Sequence, residues 1–245
     1  MTQRYQWLIF DADDTLFDYA QAEQNALEST FHEFQLPYDT RTLELYRVIN
    51  QQLWLRFEKR EITGAQIRAE RFAQLFDALQ LHEPQGLAER YVDHLAEQTA
   101  LMRGARETLD ALHQTHRIAI ATNGMTRVQR PRLARSPLAP FVSELIISEE
   151  GGAAKPAREF FDYAFARMGQ PRKQDVLLIG DSLTSDMQGG AAYGVDTCWY
   201  NPKRQPRPAQ PKVTHEIHDL RELIDLVGSK TIEVLTENAQ AAHSG

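Results

Sequence analysis

Short runs of consecutive apolar residues punctuate the chain at Trp7 to Phe10, Ile118 to Ala121, Leu145 to Ile147, Val176 to Ile179 and Thr197 to Tyr200, each followed by turn-forming or helix-starting residues. Continuous apolar runs of this length, without polar alternation, predict strands buried on both faces. Elsewhere the apolar positions recur every three or four residues. Phe160, Phe161, Ala164, Phe165 and Met168 predict one helix after Lys155-Pro156, and Ile217, Leu220, Ile224 and Val227 predict another, closed by Gly228. Apolar strands alternating with helices predict an α/β fold, a doubly wound parallel sheet covered on both faces.

The interval from Phe17 to about Met102 breaks the alternation. It carries helical patterns in succession, on Leu43, Tyr46, Ile49, Asn50, Leu53 and Phe57, then Phe72, Leu75, Phe76 and Leu79, then Leu87, Tyr91 and Leu95, and no convincing strand. The expected organisation is a catalytic core of residues 1–16 and 103–228, an inserted helical domain at 17–102, and a polar tail at 229–245 that frays or is disordered. Pro202, Pro206, Pro208 and Pro211, interleaved with basic residues, predict an extended surface loop.

At 245 residues the chain is long enough to bury a substantial core, and 42% hydrophobic with 25% charged residues is an ordinary globular composition. A net charge of −7 disfavours a nucleic-acid polymer or an anionic membrane surface as partner. The single cysteine, Cys198, has no intramolecular disulfide partner and offers no thiolate metal site; in a predicted strand it reads as a small buried hydrophobe. The N-terminal segment has only a four-residue apolar run, so neither a signal-peptide core nor a membrane span is expected, and the default location is the cytoplasm. A monomer and a homodimer are both compatible with the sequence.

In an open parallel sheet, ligands bind outside the carboxyl ends of the strands. Here those ends carry Asp11-Ala12-Asp13-Asp14-Thr15, Thr122-Asn123-Gly124 and Gly180-Asp181-Ser182 with Asp186 beyond, while Lys155 precedes a helix. Several carboxylates converging on one edge repel each other unless a hard divalent cation such as Mg²⁺, which prefers oxygen ligands, lies among them. Acids, a lysine, a threonine and Mg²⁺ together describe phosphoryl transfer, in which one carboxylate attacks phosphorus and another moves protons.

These four segments, in the chain order Asp11, Thr122, Lys155 and Gly180-Asp181 and with a helical insertion after the first, resemble the motifs of the haloacid dehalogenase superfamily of phosphohydrolases, over roughly residues 5 to 227. The resemblance implies Asp11 as nucleophile and Asp13 as general acid/base. It implies Thr122 and Lys155 as holders of the phosphoryl group, with Asn123 beside them in substrate binding. Mg²⁺ would be bound by the Asp11 carboxylate, the Asp13 backbone carbonyl and Asp181, with Asp186 a direct or outer ligand.

Three further stretches, Ile49 to Trp54, Ile147 to Pro156 and Thr197 to Asn201, look like bacterial pyrimidine 5′-nucleotidases, a branch acting on dUMP, dTMP, UMP and non-standard pyrimidine nucleotides. Arg103 stands before Gly104 where the superfamily usually has proline, and Ser136-Pro137-Leu138-Ala139-Pro140 replaces a Gly-Leu turn, so a helix entry and a loop are in question.

The expected activity is a Mg²⁺-dependent phosphatase for a small phosphate ester, a nucleoside 5′-monophosphate with pyrimidine preferred. The alternatives are a phosphatase of a sugar phosphate or phosphoglycolate, a hydrolytic dehalogenase and a non-catalytic phospho-accepting module. Asp13 argues against the dehalogenase, which expels halide and has no alkoxide to protonate. Trp54, Phe57, Phe72 and Phe76 are expected chiefly as core of the insertion, with stacking on a base as the sharper role. Asp14 reads as a solvated or capping acid, and His113 and His116 as a solvated helix end.

Overall fold

The computed structural model describes residues 5–228. The tail at 229–245 lies outside the described residues. Six strands, β1 (Trp7–Phe10), β2 (Arg117–Thr122), β3 (Glu144–Ile147), β4 (Val176–Gly180), β5 (Asp196–Tyr200) and β6 (His215–Ile217), form one sheet in the order β3-β2-β1-β4-β5-β6. Every pairing is parallel, with Ile9 opposite Ala119 on one side and Leu178 on the other.

The apolar runs are continuous because the pleat sends alternate residues into two separate cores. Leu8, Phe10, Ile118, Ile120, Leu177 and Ile179 enter one, and Trp7, Ile9, Ala119, Ala121, Val176 and Leu178 enter the other. The remaining elements are α1 (Tyr19–Glu33), α2 (Thr40–Glu58), α3 (Gly64–Leu79), α4 (Leu87–Glu97), α5 (Ala105–Leu112), α6 (Thr126–Arg135), α7 (Ser148–Gly151), α8 (Arg158–Arg167), α9 (Gln188–Tyr193) and α10 (Glu222–Gly228). Leu109 of α5 and Leu223 of α10 cover the first face, and Phe160, Phe161 and Phe165 of α8 cover the second.

Helices α1 to α4 fall between β1 and β2 and bury their own apolar cluster, which includes Leu27, Phe31, Tyr46, Phe72, Phe76 and Tyr91. Side-chain caps start the first three: Asp18 and Asp39 accept backbone N–H groups, and Thr63 with Gln66 forms a reciprocal box. Val128 of α6 joins the same cluster, so this insertion rests on the core through α6. The two chain passes between them lie side by side, with Asp18 N–H donating to Ala100 at 3.0 Å and Met102 N–H to Leu16 at 2.9 Å.

Two sequence expectations are corrected. Ile217 does not belong to one helix with Leu220, Ile224 and Val227; it ends β6, which pairs with β5, and the helix begins at Glu222. A three-residue strand reading His-Glu-Ile carries no apolar run to announce it. His116 is 5% exposed rather than solvated, and burial pulls its imidazole below the usual value. The two departures from the superfamily pattern leave the elements intact. Gly104 caps α5 at φ 81°, and Ser136 Oγ accepts the Leu138 N–H at 3.1 Å before a short 3₁₀ turn.

Candidate active site

The chain order places β1 at the centre, with β2 and β3 added on one side and β4, β5 and β6 on the other. Residues after β1, β2 and β4 therefore meet at the switch point of the sheet, where a crevice opens at the carboxyl edge. Asp11 emerges there, its N–H held by Ile179 at 2.8 Å.

Lys155 is buried beneath these strand ends and spends all three of its ammonium protons. Nζ donates to Asp11 Oδ1 at 2.5 Å, to Asp186 Oδ1 at 2.7 Å and to the Ala121 carbonyl at 2.7 Å. Asn123 fixes the backbone that delivers it: its amide donates to the Lys155 carbonyl at 2.9 Å and accepts the Lys155 N–H at 2.8 Å. The side chain of Asn123 thus addresses Lys155, whereas the sequence had suggested substrate. Thr122, 1% exposed, accepts the Gly124 N–H at 2.9 Å, which leaves its hydroxyl proton to donate.

Asp186 lies in a π-helical turn, Leu183–Met187, and its Oδ2 accepts the Ser182 N–H at 3.2 Å. Gly180 is required for this approach, since a Cβ there would sit 2.3 Å from Asp186 Oδ2. Trp199 Nε1 donates to the Asp181 carbonyl at 2.9 Å, and Thr15 reaches the Asp181 carboxylate at 3.4 Å. Carboxylate oxygens of Asp11, Asp181 and Asp186 all lie within 4.8 Å of one another.

Lys155 relieves this crowding only in part. Burial raises the Asp11 carboxyl well above its usual range; Lys155 opposes the rise, and Asp186 and Asp181 add to it. Asp181 is pushed up to about 7 by burial, then by Asp186 and Asp14. Burial acts to lower Lys155, but Asp11 and Asp186 outweigh it and keep the ammonium charged. Three carboxylates against one ammonium leave an excess negative charge that a divalent cation offsets, and hard oxygen donors suit Mg²⁺. The donor set therefore fits the expected metal. Asp186 has one oxygen on Lys155 and the other on Ser182, so any ligation by it is shared.

Asp13 stands apart from this cluster. Its Oδ1 accepts from Arg132 Nη1 at 2.5 Å and its Oδ2 from Gln129 Nε2 at 2.7 Å, both on α6. Sequence reading singled out neither residue. The sequence shows only a glutamine and an arginine three apart in the segment that follows Thr122-Asn123-Gly124, and their burial in α6 is visible only in the structure. Asp14 adopts a left-handed conformation at φ 59°, which Asp tolerates, and belongs to the turn after β1.

A cleft of about 910 Å³ separates the core from the insertion, lined by Asn123 and Lys155 below and by Trp54, Phe57 and Arg71 above. Arg68 Nη1 donates to Glu149 at 2.6 Å and Thr184 to Glu58 at 2.8 Å, so the insertion touches the core on both sides of it. Trp54 and Phe57 meet edge to face at 5.4 Å on a small apolar cluster beside the cleft, whereas Phe72 and Phe76 are buried in the insertion. Arg71 is 3% exposed; Nη1 donates to the Tyr46 hydroxyl at 3.0 Å, while Nε has no partner. None of the helices among the described residues is long and apolar enough to cross a membrane.

The sequence is 37% identical to YfnB of Bacillus subtilis, described as a putative HAD-hydrolase, over 92% of this chain and 96% of that protein. The solved structure of YfnB bound to magnesium superposes with a TM-score of 0.85, covering 91% of this chain and 99% of that one. Two proteins described as pyrimidine 5′-nucleotidases also match: PynA of Streptococcus pneumoniae at 34% identity over 95% of this chain and 99% of its own, and YjjG of Escherichia coli at 33% over 91% and 98%. The family model for haloacid dehalogenase-like hydrolases matches residues 5–194, and the chain belongs to that family of enzymes.

Proposed function

We propose that this protein is a cytoplasmic Mg²⁺-dependent phosphatase that hydrolyses nucleoside 5′-monophosphates, pyrimidine nucleotides preferred. The observation that carries the reaction type is the division between two acids on one turn. Asp11 is buried against Lys155 beside Asp181 and Asp186, while Asp13 is held separately by Gln129 and Arg132 and keeps 27% of its side chain exposed. A nucleophile needs a neutralised, fixed carboxylate, and proton transfer to a leaving alkoxide needs a second carboxyl that the first does not share.

Asp11 attacks phosphorus through a carboxylate oxygen while the bond to the ester oxygen breaks and Asp13 delivers a proton to that oxygen. Water then attacks the aspartyl-phosphate, Asp13 takes its proton, and the carboxylate of Asp11 leaves with the electron pair as phosphate departs. Thr122 donates its free hydroxyl proton to a phosphoryl oxygen. Lys155 orients Asp11 and takes up a phosphoryl oxygen by exchanging one of its present acceptors. Asp11, Asp181 and the backbone carbonyl of Asp13 would hold Mg²⁺, with Asp186 behind them. The metal, when bound, supplies positive charge to the phosphoryl oxygens and offsets the carboxylate excess.

Residues 17–102 act as a cap whose closure excludes water during the attack. The substrate class is supported by the pyrimidine 5′-nucleotidases among the relatives and by the cleft, where Trp54 and Phe57 offer an aromatic surface. Phosphate release from a panel of nucleoside monophosphates, sugar phosphates and phosphoglycolate, with Mg²⁺ and with EDTA, tests the reading. Metal-dependent release led by UMP, dUMP or dTMP supports it. Release led by a sugar phosphate keeps the mechanism and discards the substrate, and no release from any ester discards both.

A further inference from the structure

Arg132 is a fully buried cation, and Asp13 is the carboxylate it faces. A buried guanidinium is costly unless paired and hydrogen-bonded, so its place in α6 against Asp13 calls for a reason. We propose that Gln129 and Arg132 are positioning residues for Asp13, fixing its carboxyl for both proton transfers. This rests on the phosphatase reading above and goes beyond it to residues outside the four motifs.

The geometry is a two-point grip. One oxygen of Asp13 accepts from Arg132 at 2.5 Å and the other from Gln129 at 2.7 Å, which sets the plane of the carboxyl and leaves a second lone-pair site on each oxygen. Both grips come from one helix face, three residues apart, and both side chains are buried, at 2% exposure for Gln129 and 0% for Arg132. Gly124 makes room for the grip: a Cβ there would lie 2.4 Å from Gln129 Nε2. The glycine that follows Thr122 and Asn123 thus serves Asp13 through Gln129. Arg132 is held in turn by the Leu95 carbonyl in α4, at 3.3 Å from Nη2, and lies over the Phe17 ring at 5.5 Å. The orientation of Asp13 is therefore set jointly by α6 and by the insertion.

Loss of the grip has a signature distinct from loss of fold. In the first half-reaction Asp13 gives a proton to the leaving oxygen, and in the second it takes one from water. A p-nitrophenolate leaves without a proton, so an aryl phosphate needs Asp13 only in the second half. For Gln129→Leu and Arg132→Lys, with Mg²⁺ and p-nitrophenyl phosphate, rapid mixing is expected to show a burst approaching one p-nitrophenolate per active site, at the wild-type rate. A steady phase slowed about 10²-fold should follow, within the usual worth of a general acid/base. With UMP the same variants lose the fast first turnover as well.

Equal slowing of burst and steady phase, or kinetics of both variants matching wild type, overturns the inference. A purely structural role shrinks the burst amplitude in proportion to the folded fraction and slows both substrates in parallel, which also overturns it. Gln129→Leu keeps the buried charge pair and so preserves the test if Arg132→Lys unfolds. Wild-type protein that releases neither p-nitrophenolate nor phosphate overturns the phosphatase reading itself, and the inference with it.

Discussion

Lys155 and Asp11 meet at 2.5 Å at the carboxyl edge of the sheet, although 144 residues separate them and both are buried. The pair joins the strand end after β1 to the segment entering α8, and Asp186 closes it from the turn after β4. One ammonium thus holds two carboxylates that would otherwise repel.

Asp11→Asn keeps the shape of the site and removes the proposed nucleophile, so turnover of every phosphate ester is expected to vanish while the thermal midpoint changes little. Steady-state assays with UMP and with p-nitrophenyl phosphate check this, and activity near wild type would refute the nucleophile assignment.

Lys155→Met leaves Asp11 and Asp186 as uncompensated buried carboxylates. Removing one partner of a buried ion pair costs about 3–5 kcal/mol, so the metal-free variant is expected to unfold at markedly lower denaturant than wild type. Denaturation with and without Mg²⁺ should show the deficit narrowing when the cation is present.

Asp181 titrates at about 7 in the folded chain against 3.8 for an ordinary aspartate, and Asp11 is raised in the same direction. A raised folded value means that the folded state binds more protons than the unfolded one between those limits. The contribution of these groups to stability therefore falls as pH rises from about 4 to 7. Mg²⁺ competes with those protons, so the shift in melting temperature on adding Mg²⁺ is expected to be larger at pH 8 than at pH 5. Differential scanning fluorimetry at the two values reads it, and a larger shift at pH 5 would contradict the assignment of the carboxylates to the metal.

Gly180→Ala places a methyl group where the Asp186 carboxylate now lies, 2.3 Å from Oδ2. Overpacking of this kind costs about 1–3 kcal/mol, and the displaced carboxylate also releases Lys155. The expected result is a folded protein with weakened Mg²⁺ affinity and strongly reduced kcat, measured by metal titration of activity. An alanine variant with unchanged metal dependence would show that Asp186 is not needed in its present position.

Trp54→Ala removes an aromatic surface from the cleft wall. If a base stacks there, KM for UMP rises about tenfold, in line with roughly 1–3 kcal/mol for stacking on an aromatic side chain. The constants for p-nitrophenyl phosphate serve as the reference, since a parallel rise for both substrates would assign Trp54 to packing alone.

Five of the six strands and the polar residues that gather at three strand ends were legible in the sequence. The reason is local: a strand covered on both faces must be apolar throughout, and the first polar residue after it marks the edge where ligands bind. Asp11, Thr122 and Asp181 stand at or directly after such ends, and Lys155 announces itself by preceding a helix. β6 was hidden because its three residues, His215, Glu216 and Ile217, carry no apolar run and owe their strand geometry to pairing with β5. His116 looked solvated because helix ends usually are, and only packing buries it.

By itself the sequence determined the alternation of strands and helices, the helical insertion and the set of acids from which a phosphoryl-transfer site is built. Tertiary structure alone decided how those acids divide. Gln129 and Arg132 reach Asp13 across 116 and 119 residues, and Asn123 turns to the Lys155 backbone across 32. Such contacts follow from where α6 packs beneath the turn after β1, and hydrophobic periodicity records only that a helix has a buried face, not which carboxylate waits there.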